Sequence, residues 1–144
     1  MARVRDILEH KGAEVITCGP QDSVLRAAHV MNEHGIGAVV VVEGTQLIGI
    51  FTERDVLRRV VAAGRDPAAT LVRDVMTQPV ISCTPDTRVD ECRVIITARR
   101  VRHLPIVQEG ALCGIVTSGD VLARQLKEQQ EALEYLNSWT HDGR

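Results

Sequence analysis

One seven-residue pattern, Gly-Ile-x-Thr-x-x-Asp, occurs twice in this chain, at residues 49–55 and 114–120. In each copy a predicted strand ends and a predicted helix begins at the threonine. The unpaired N–H groups of a first helical turn form an anion site, and the threonine hydroxyl adds a donor for a phosphate. The aspartate lies one turn further along the same face, where its carboxylate could accept two hydrogen bonds from a ribose diol. The pattern therefore indicates a nucleotide site.

Helix capping is an alternative explanation of the same pattern. Thr-x-x-Asp is close to a capping box, which satisfies the free N–H groups at a helix start and serves stability alone. A duplication copies a cap as readily as a binding site, so the repetition does not decide between the two interpretations.

The pattern belongs to a longer internal repeat. Residues 15–61 align with residues 80–126 without a gap, with 14 identities in 47 positions, and about half of the aligned pairs are identical or both apolar. A copy of this length buries too little apolar surface to be stable alone, so the two copies are predicted to pack on each other with pseudo-two-fold symmetry and a cleft between them. The predicted organisation is repeat 1 at 1–65, repeat 2 at 66–126 and a helical tail at 127–144.

The elements that must position the two motifs follow the order β-α-β-β-α in both copies. The middle strand of the first copy is a run of apolar residues without alternation, which is typical of a strand buried on both faces. The predicted strands are 14–18, 37–42 and 47–51 in the first copy and 80–83, 103–107 and 112–116 in the second.

Helix boundaries and faces can also be predicted. Asp22 and Thr87 are candidate N-caps for the first helix of each copy. The second helix of the first copy starts near Thr52. Pro105 lacks a ladder donor, so its strand is predicted to lie at an edge or an opening. The inner stripe of the second helix is predicted to be Val56, Leu57, Val60 and Val61.

Composition excludes several function classes. Aromatic residues make up 2% of the chain, which argues against stacking platforms for single-stranded nucleic acid. The net charge of −2 provides no basic field for nucleic acid or anionic membranes. The chain shows no signal peptide and no apolar run long enough to cross a bilayer, so a cytoplasmic location without membrane contact is predicted. Its four cysteines form no CxxC pair, which predicts reduced, buried thiols and no metal site.

These residues resemble the CBS domain, and the whole chain resembles a stand-alone tandem CBS pair, or Bateman module. The resemblance rests on both seven-residue motifs, on Arg102-His103-Leu104-Pro105-Ile106-Val107, and on the leads Val75-Met76-Thr77 and Thr84-Pro85-Asp86-Thr87. It covers roughly residues 5 to 125. It implies an α/β (α+β) fold of two β-α-β-β-α repeats with pseudo-two-fold symmetry, followed by a C-terminal helix.

The resemblance also implies a ligand that contains adenosine: AMP, ADP, ATP, NAD(H) or S-adenosylmethionine. Asp55 and Asp120 would hold the ribose hydroxyls, and Thr52 and Thr117 would contact phosphate. The base would lie between the first strand and the start of the second strand of a copy. The residues implied there are Ile16, Ile36, Gly37 and Ala38 in the first copy and Ile81, Val101, Arg102 and His103 in the second.

The two copies differ at charged positions. Arg54 is a phosphate candidate whose counterpart in the second copy is Gly119. Arg102 and His103 form a dense basic cluster with Arg99 and Arg100. This cluster either faces the cleft and neutralises a di- or triphosphate, or is a solvated helix end. Lys11 lies in the segment 10–14, where the first copy carries three extra residues, and is a further candidate.

No nucleophile–base pair, P-loop or dinucleotide fingerprint is visible, so an enzyme is not predicted. The predicted function is a regulatory sensor of adenosine nucleotides that signals to a partner such as an enzyme or transporter. The alternative is a structural or scaffolding CBS pair with vestigial clefts that acts through protein contacts. The resemblance implies a homodimer. In the tail, a leucine stripe suggests packing on a partner or on the body, with a solvated extension as the alternative. The stripe consists of Leu122, Leu126, Leu133 and Leu136 and is broken at Gln129.

Overall fold

The computed structural model describes the backbone of residues 1–142, so the last two residues of the predicted tail, 143–144, lie outside the described part. In chain order the helices and strands are α1 (Val4–Lys11), β1 (Thr17–Cys18), α2 (Val24–His34), β2 (Ala38–Glu43), β3 (Gln46–Thr52), α3 (Glu53–Asp55), a π-helix (Val56–Val61), α4 (Val72–Val75), α5 (Val89–Arg99), β4 (His103–Gln108), β5 (Ala111–Thr117) and α6 (Ser118–Asp142). The predicted mixed α/β (α+β) fold with a C-terminal helix is confirmed.

The strands form one five-stranded sheet in the order β1-β2-β3-β5-β4. Each copy contributes an antiparallel hairpin, β2–β3 or β4–β5, with the same register and a bulge at the equivalent position. The two hairpins join through one register pair, Gln46 with Ala111. This single junction between two like hairpins produces the pseudo-two-fold relation of the copies.

The first strand of each copy is shorter than predicted. In the first copy only Thr17–Cys18 pairs with β2, while the Val40 N–H also donates to the Ile16 carbonyl. In the second copy, Cys83 forms only an isolated bridge to Ile106. The residue equivalent to Val40 there is Pro105, which has no N–H to continue the ladder towards Ile81. Pro105 therefore ends the pairing, and the predicted strand at 80–83 does not form.

Both predicted N-caps are one residue too early. Ser23 caps α2, since its Oγ accepts from the Arg26 N–H at 3.0 Å. The Asp22 carboxylate instead accepts from the Gly19 N–H at 2.8 Å. Likewise, the Thr87 hydroxyl accepts from the Thr84 N–H at 3.0 Å, and the N-cap of α5 is Arg88. In both copies the predicted side chain closes the turn before the helix and is not available to cap it.

The inner stripe of the second helix is only partly as predicted. Val60 is fully buried, but Leu57 and Val61 are 61% and 63% exposed. The segment continues from Val56 as a π-helix, in which hydrogen bonds join residues five apart, as from the Ala62 N–H to the Leu57 carbonyl. Val56 and Val60 pack against the core, and Leu57 and Val61 lie in solvent because the face that carries them has no core residue to contact.

Each of the two hydrophobic cores contains a short lead helix from the other copy. Val72 and Val75 of α4 pack with Phe51 and the β2 valines of the first copy. Val4 and Ile7 of α1 pack in the second core, which contains Cys83, Val89, Cys92, Leu104, Ile106 and Val116. Backbone hydrogen bonds anchor both leads at equivalent places, from Val4 to Thr87 at 2.8 Å and from Val72 to Asp22 at 2.9 Å. Each core thus combines residues of both predicted repeats, and neither can form without the other.

The four cysteines are free thiols; Cys18, Cys83 and Cys92 are buried and Cys113 is partly buried. Burial, together with the nearby Asp22 carboxylate, raises the pKa of the Cys18 thiol to about 12, so this thiol stays protonated and unreactive at neutral pH. Across residues 1–142, no helix combines the length and the apolar character that a membrane span requires.

Candidate functional site

A cleft of about 340 Å³ lies where the two copies meet. Its volume falls within the range of about 300–1,000 Å³ that is usual for small-molecule sites. One wall comes from the motif of the first copy and the other from the turn between α5 and β4. The lining residues are Gly37, Ile50, Thr52, Glu53, Arg54, Asp55, Thr77, Arg99, Arg100, Val101, Arg102 and His103.

Asp55 is the buried carboxylate of this cleft, with 5% of its surface exposed. Its Oδ2 accepts from the Thr52 N–H at 3.0 Å and the Thr52 hydroxyl at 3.2 Å, while the Asp55 N–H donates to Thr52 Oγ1. The motif therefore does form the capping box that the alternative interpretation proposed. The same carboxylate nevertheless lines the cleft, so capping and ligand binding are compatible at this position.

Thr77 and Arg59 tie Asp55 to the lead of the second copy. The Thr77 hydroxyl donates to Asp55 Oδ1 at 3.0 Å, and the Thr77 backbone pairs with Ile50 of β3. Arg59 Nη1 donates to the Met76 carbonyl at 2.8 Å, and its Nε lies 3.7 Å from Asp55 Oδ1. Sequence reasoning missed both roles. A signal for Arg59 existed, because an arginine recurs four residues after each motif aspartate, at 59 and 124.

The opposite wall is strongly basic. Arg99, Arg100 and Arg102 line the cleft together with Arg54, whose Nη1 donates to the Arg100 carbonyl at 3.4 Å. Glu53, which the sequence did not single out, contributes a carboxylate beside them. The cluster therefore borders the cleft, and it does so at the end of α5, where Arg100 adopts a left-handed φ of 54°. The arginines thus border the cleft, as the first interpretation predicts, and also lie at a helix end, as the second predicts.

His103 lies between the two half-sites. It lines the cleft and is also the register partner of Thr117, the motif threonine of the second copy. Burial lowers the pKa of His103 below its usual value of 6.5, and the nearby Arg102 and Lys11 charges act in the same direction. The carboxylates of Glu53 and Asp120 oppose this shift without cancelling it. His103 is therefore neutral at pH 7.

The half-site of Asp120 differs from that of Asp55. Asp120 Oδ2 accepts from the Thr117 N–H at 2.9 Å and from Lys11 Nζ at 2.7 Å. Burial acts to raise the pKa of Asp120, but the hydrogen bonds from Lys11 and Thr117 and the charge of Lys11 outweigh it, so this pKa lies below its usual value. The cavity beside Asp120 has a volume of about 110 Å³ and is lined by Ile7, His10, Lys11, Asp120, Ala123, Arg124 and Lys127.

The residues predicted to contact the base are dispersed. Gly37 and Val101 line the cleft, and Ile36 lines an open depression of about 520 Å³ beside it, which also includes Gly37. Ile16 packs on the first core and Ile81 on the second. Ala38 is buried in β2. The structure thus brings seven of the predicted residues into one cleft: Gly37, Thr52, Arg54, Asp55, Val101, Arg102 and His103.

Two interlocked copies of one α/β unit, each with a motif aspartate, define a tandem module. Residues 4–62 and 72–127 both match the CBS domain family. The chain therefore belongs to this family and contains a tandem CBS pair, as the sequence resemblance predicted.

Three known proteins illustrate the relationship. The mitochondrial CBS domain-containing protein CBSX3 of Arabidopsis thaliana is 35% identical over 149 residues, covering 97% of this chain and 72% of the relative. A solved CBS-domain structure from Burkholderia ambifaria, assigned provisionally to signal transduction, is 38% identical with a TM-score of 0.84, covering 89% of this chain and 96% of that one. A hexameric CBS-CP12 protein from bloom-forming cyanobacteria is 26% identical with a TM-score of 0.73, covering 85% and 70%. Tandem CBS pair proteins are generally regulatory modules, and the cyanobacterial protein is hexameric.

Proposed function

We propose that this CBS pair is a non-catalytic regulatory sensor that binds an adenosine nucleotide in the Asp55 cleft. The observation that carries the proposal is the pairing of a buried carboxylate with a basic wall in one cleft of about 340 Å³. A nucleotide needs both features: an acceptor for the ribose hydroxyls and cations for the phosphates. Asp55 would accept from the ribose diol, and Thr52 would contact a phosphate.

The charges of the cleft favour some adenosine ligands over others. Four arginines, Arg54, Arg99, Arg100 and Arg102, face the lining carboxylates of Glu53 and Asp55. This excess of cations suits the phosphate groups of ATP, ADP or NAD(H) better than the single phosphate of AMP, and it disfavours the cationic S-adenosylmethionine. We therefore expect affinity to increase with phosphate number in the series AMP, ADP, ATP.

Signalling would follow from the contacts that already hold Asp55. A ribose that donates to this carboxylate competes with the Thr77 hydroxyl, which belongs to the lead of the second copy. Binding would thus favour a different position of α4 relative to β3. A ligand shifts such an equilibrium only by its differential affinity for the two arrangements. A homodimer would pass this change to a partner, for which a regulated enzyme or transporter is the expected class.

One observation favours a second candidate function. Asp55 is already hydrogen-bonded by Thr52 and Thr77 and lies close to Arg59, so its carboxylate needs no ligand to be satisfied. A scaffolding CBS pair with vestigial clefts that acts through protein contacts would have such a site.

Thermal shift and isothermal titration with AMP, ADP, ATP, NAD+ and NADH separate the two functions. Ligand at 100 times its dissociation constant should stabilise the fold by about 2.7 kcal/mol. Asp55→Asn keeps the size of the side chain, and we expect it to weaken nucleotide binding at least tenfold. Asp90→Asn, an exposed position on α5, is the matched control. If none of these ligands stabilises the fold at millimolar concentration, the scaffold function is the one that remains. Chemical conversion of the nucleotide during incubation with the protein would instead show an enzyme.

A further inference from the structure

Lys11 occupies the position at Asp120 that a ligand's hydroxyl donors would need. Its ammonium donates to Asp120 Oδ2 at 2.7 Å and to the Ile115 carbonyl at 3.1 Å, which uses two of its three donors. Lys11 is the last residue of α1, the lead helix that the first copy places in the second core. The chain itself therefore provides a cation across a sequence separation of 109 residues.

The two motif aspartates thus have different internal partners. A lead segment contacts each of them: Thr77 contacts Asp55, and Lys11 contacts Asp120. A ribose hydroxyl that replaces Thr77 exchanges one hydroxyl–carboxylate hydrogen bond for another. A ribose hydroxyl that replaces Lys11 must break an ion pair, in which donor and acceptor are both charged, and offers only an uncharged donor in its place. The asymmetry arises because Lys11 lies within the extra residues of the first copy, which have no counterpart before the second motif.

The volumes of the two cavities also favour binding at Asp55 over binding at Asp120. The cavity at Asp120 has a volume of about 110 Å³ and that at Asp55 about 340 Å³. Only the larger reaches the lower bound of about 300 Å³ that is usual for a small-molecule site. Lys11 is itself a lining residue of the smaller cavity. Movement of its side chain would therefore both free the Asp120 carboxylate and enlarge the space beside it.

The closed half-site retains features that suit an anionic group. Arg124 and Lys127 line the small cavity together with His10. The Nε of Arg124 is buried without a hydrogen-bond acceptor and lies 3.9 Å from Glu128 Oε1. A buried donor without an acceptor is costly, and a phosphate oxygen is the type of group that would satisfy it.

We propose that Lys11 is an internal competitor that closes the Asp120 half-site, so that each chain binds one nucleotide, at Asp55, and carries a second, latent nucleotide site at Asp120. This inference rests on the proposed nucleotide function of the Asp55 cleft. The competitor is the ammonium of Lys11, and its removal opens the latent site.

The test is the stoichiometry of ATP binding, measured by isothermal titration on the full chain. We expect one site per chain in the wild type, with the binding lost in Asp55→Asn. Lys11→Met keeps an unbranched apolar stem of similar length and removes the ammonium. In this variant we expect two sites per chain. The additional site should disappear in the double variant Lys11→Met/Asp120→Asn. Lys127→Met removes a cation from the same cavity without freeing Asp120, so it should keep one site. Circular dichroism melting verifies that each variant is folded.

Other outcomes separate this inference from the function on which it rests. Two wild-type sites, or one wild-type site that is lost in Asp120→Asn and kept in Asp55→Asn, would overturn the role of Lys11 and leave nucleotide sensing intact. One site in both the wild type and Lys11→Met would overturn it as well. No ATP binding by the wild type would contradict the proposed function. If Lys11→Met then gained a site that depends on Asp120, the closure by Lys11 would still be supported, whereas no gain would overturn it.

Discussion

Each motif aspartate performs a structural task before any ligand is considered. Asp55 and Asp120 accept from the N–H of the threonine three residues earlier, at 3.0 and 2.9 Å, and so complete the start of a helix. Each also accepts from a side chain of a lead segment, the hydroxyl of Thr77 or the ammonium of Lys11. The two aspartates therefore differ in their contact with the lead segment and not in the cap.

His103 provides a prediction about pH. Burial and the charges of Arg102 and Lys11 lower its pKa in the free protein, against the opposing carboxylates of Glu53 and Asp120. Without ligand, the fold should lose stability as pH falls below about 6.5, because the unfolded state binds the proton more readily. A phosphate bound beside His103 would raise its pKa, so protonation and binding would favour each other. ATP affinity should therefore increase several-fold from pH 8 to pH 6.

Titrations of ATP into the wild type and His103→Gln at both pH values test this. The variant retains the protonation of ATP itself, so only the contribution of His103 is removed and its pH dependence should be weaker. The same pH dependence in both proteins would show that His103 does not face the phosphates.

At the scale of elements, β3 and β5 each carry a glycine where a lead segment crosses them. Gly49 faces Met76, and Gly114 faces Leu8. The two glycines occupy equivalent positions in the repeat, as do their partners in the lead segments. A methyl group at Gly114 would lie 2.8 Å from Leu8 Cδ2 and 2.9 Å from Cδ1, closer than carbon atoms pack. The absence of a side chain thus allows the exchanged leads to lie against the sheet.

Gly114→Ala should therefore destabilise the fold by about 1–3 kcal/mol through overpacking. Urea unfolding monitored by circular dichroism measures the change. Gly119→Ala is the control, since its new methyl group would lie no closer than 3.6 Å to its nearest neighbour, Thr117 Oγ1. Equal free energies of unfolding for the two variants would show that α1 moves away from β5 without cost.

At the scale of the whole molecule, the exchange of leads makes one unit from two copies. α1 completes the core of the second copy and α4 that of the first, so separation of the copies would expose both cores. The same exchange brings Thr77 and Lys11 to the aspartates. Movement of the copies relative to each other would therefore change the contacts of both aspartates.

The tail helix provides a prediction about assembly. Leu122, Leu126 and Leu133 lie along α6 with 57%, 55% and 61% of their surface exposed. In the expected homodimer such a stripe would pack against its equivalent on a second copy. The double variant Leu126→Glu/Leu133→Glu should then raise the monomer–dimer dissociation constant at least tenfold in sedimentation experiments. Glu131→Gln changes the opposite face of α6 and should have no effect. An unchanged dissociation constant in the double variant would exclude the tail from the interface.

Local patterns were sufficient for much of this molecule. The duplicated motif, the apolar run of β2 and the turn residues predicted the hairpins, the tandem organisation and the family. Seven predicted site residues meet in one cleft. The hairpins depend on spacing within a few residues and the tandem organisation on an internal repeat, and the sequence displays both directly. The predicted N-caps, Asp22 and Thr87, each lie one residue before the observed N-cap. The error arises because neighbouring side chains can each satisfy a different part of the same turn.

Contacts between distant segments were decided only by the tertiary structure. The sequence analysis predicted no helix at α1 or α4, and the local pattern does not indicate which core receives these segments, because apolar surfaces of similar size are interchangeable in sequence. The pairing of Lys11 with Asp120 joins residues 109 positions apart and depends on that choice. Likewise, the exposure of Leu57 and Val61 depends on which face of their helix packs against the core. The repeat predicted two equivalent motif aspartates, and the exchange of the leads gave them different partners.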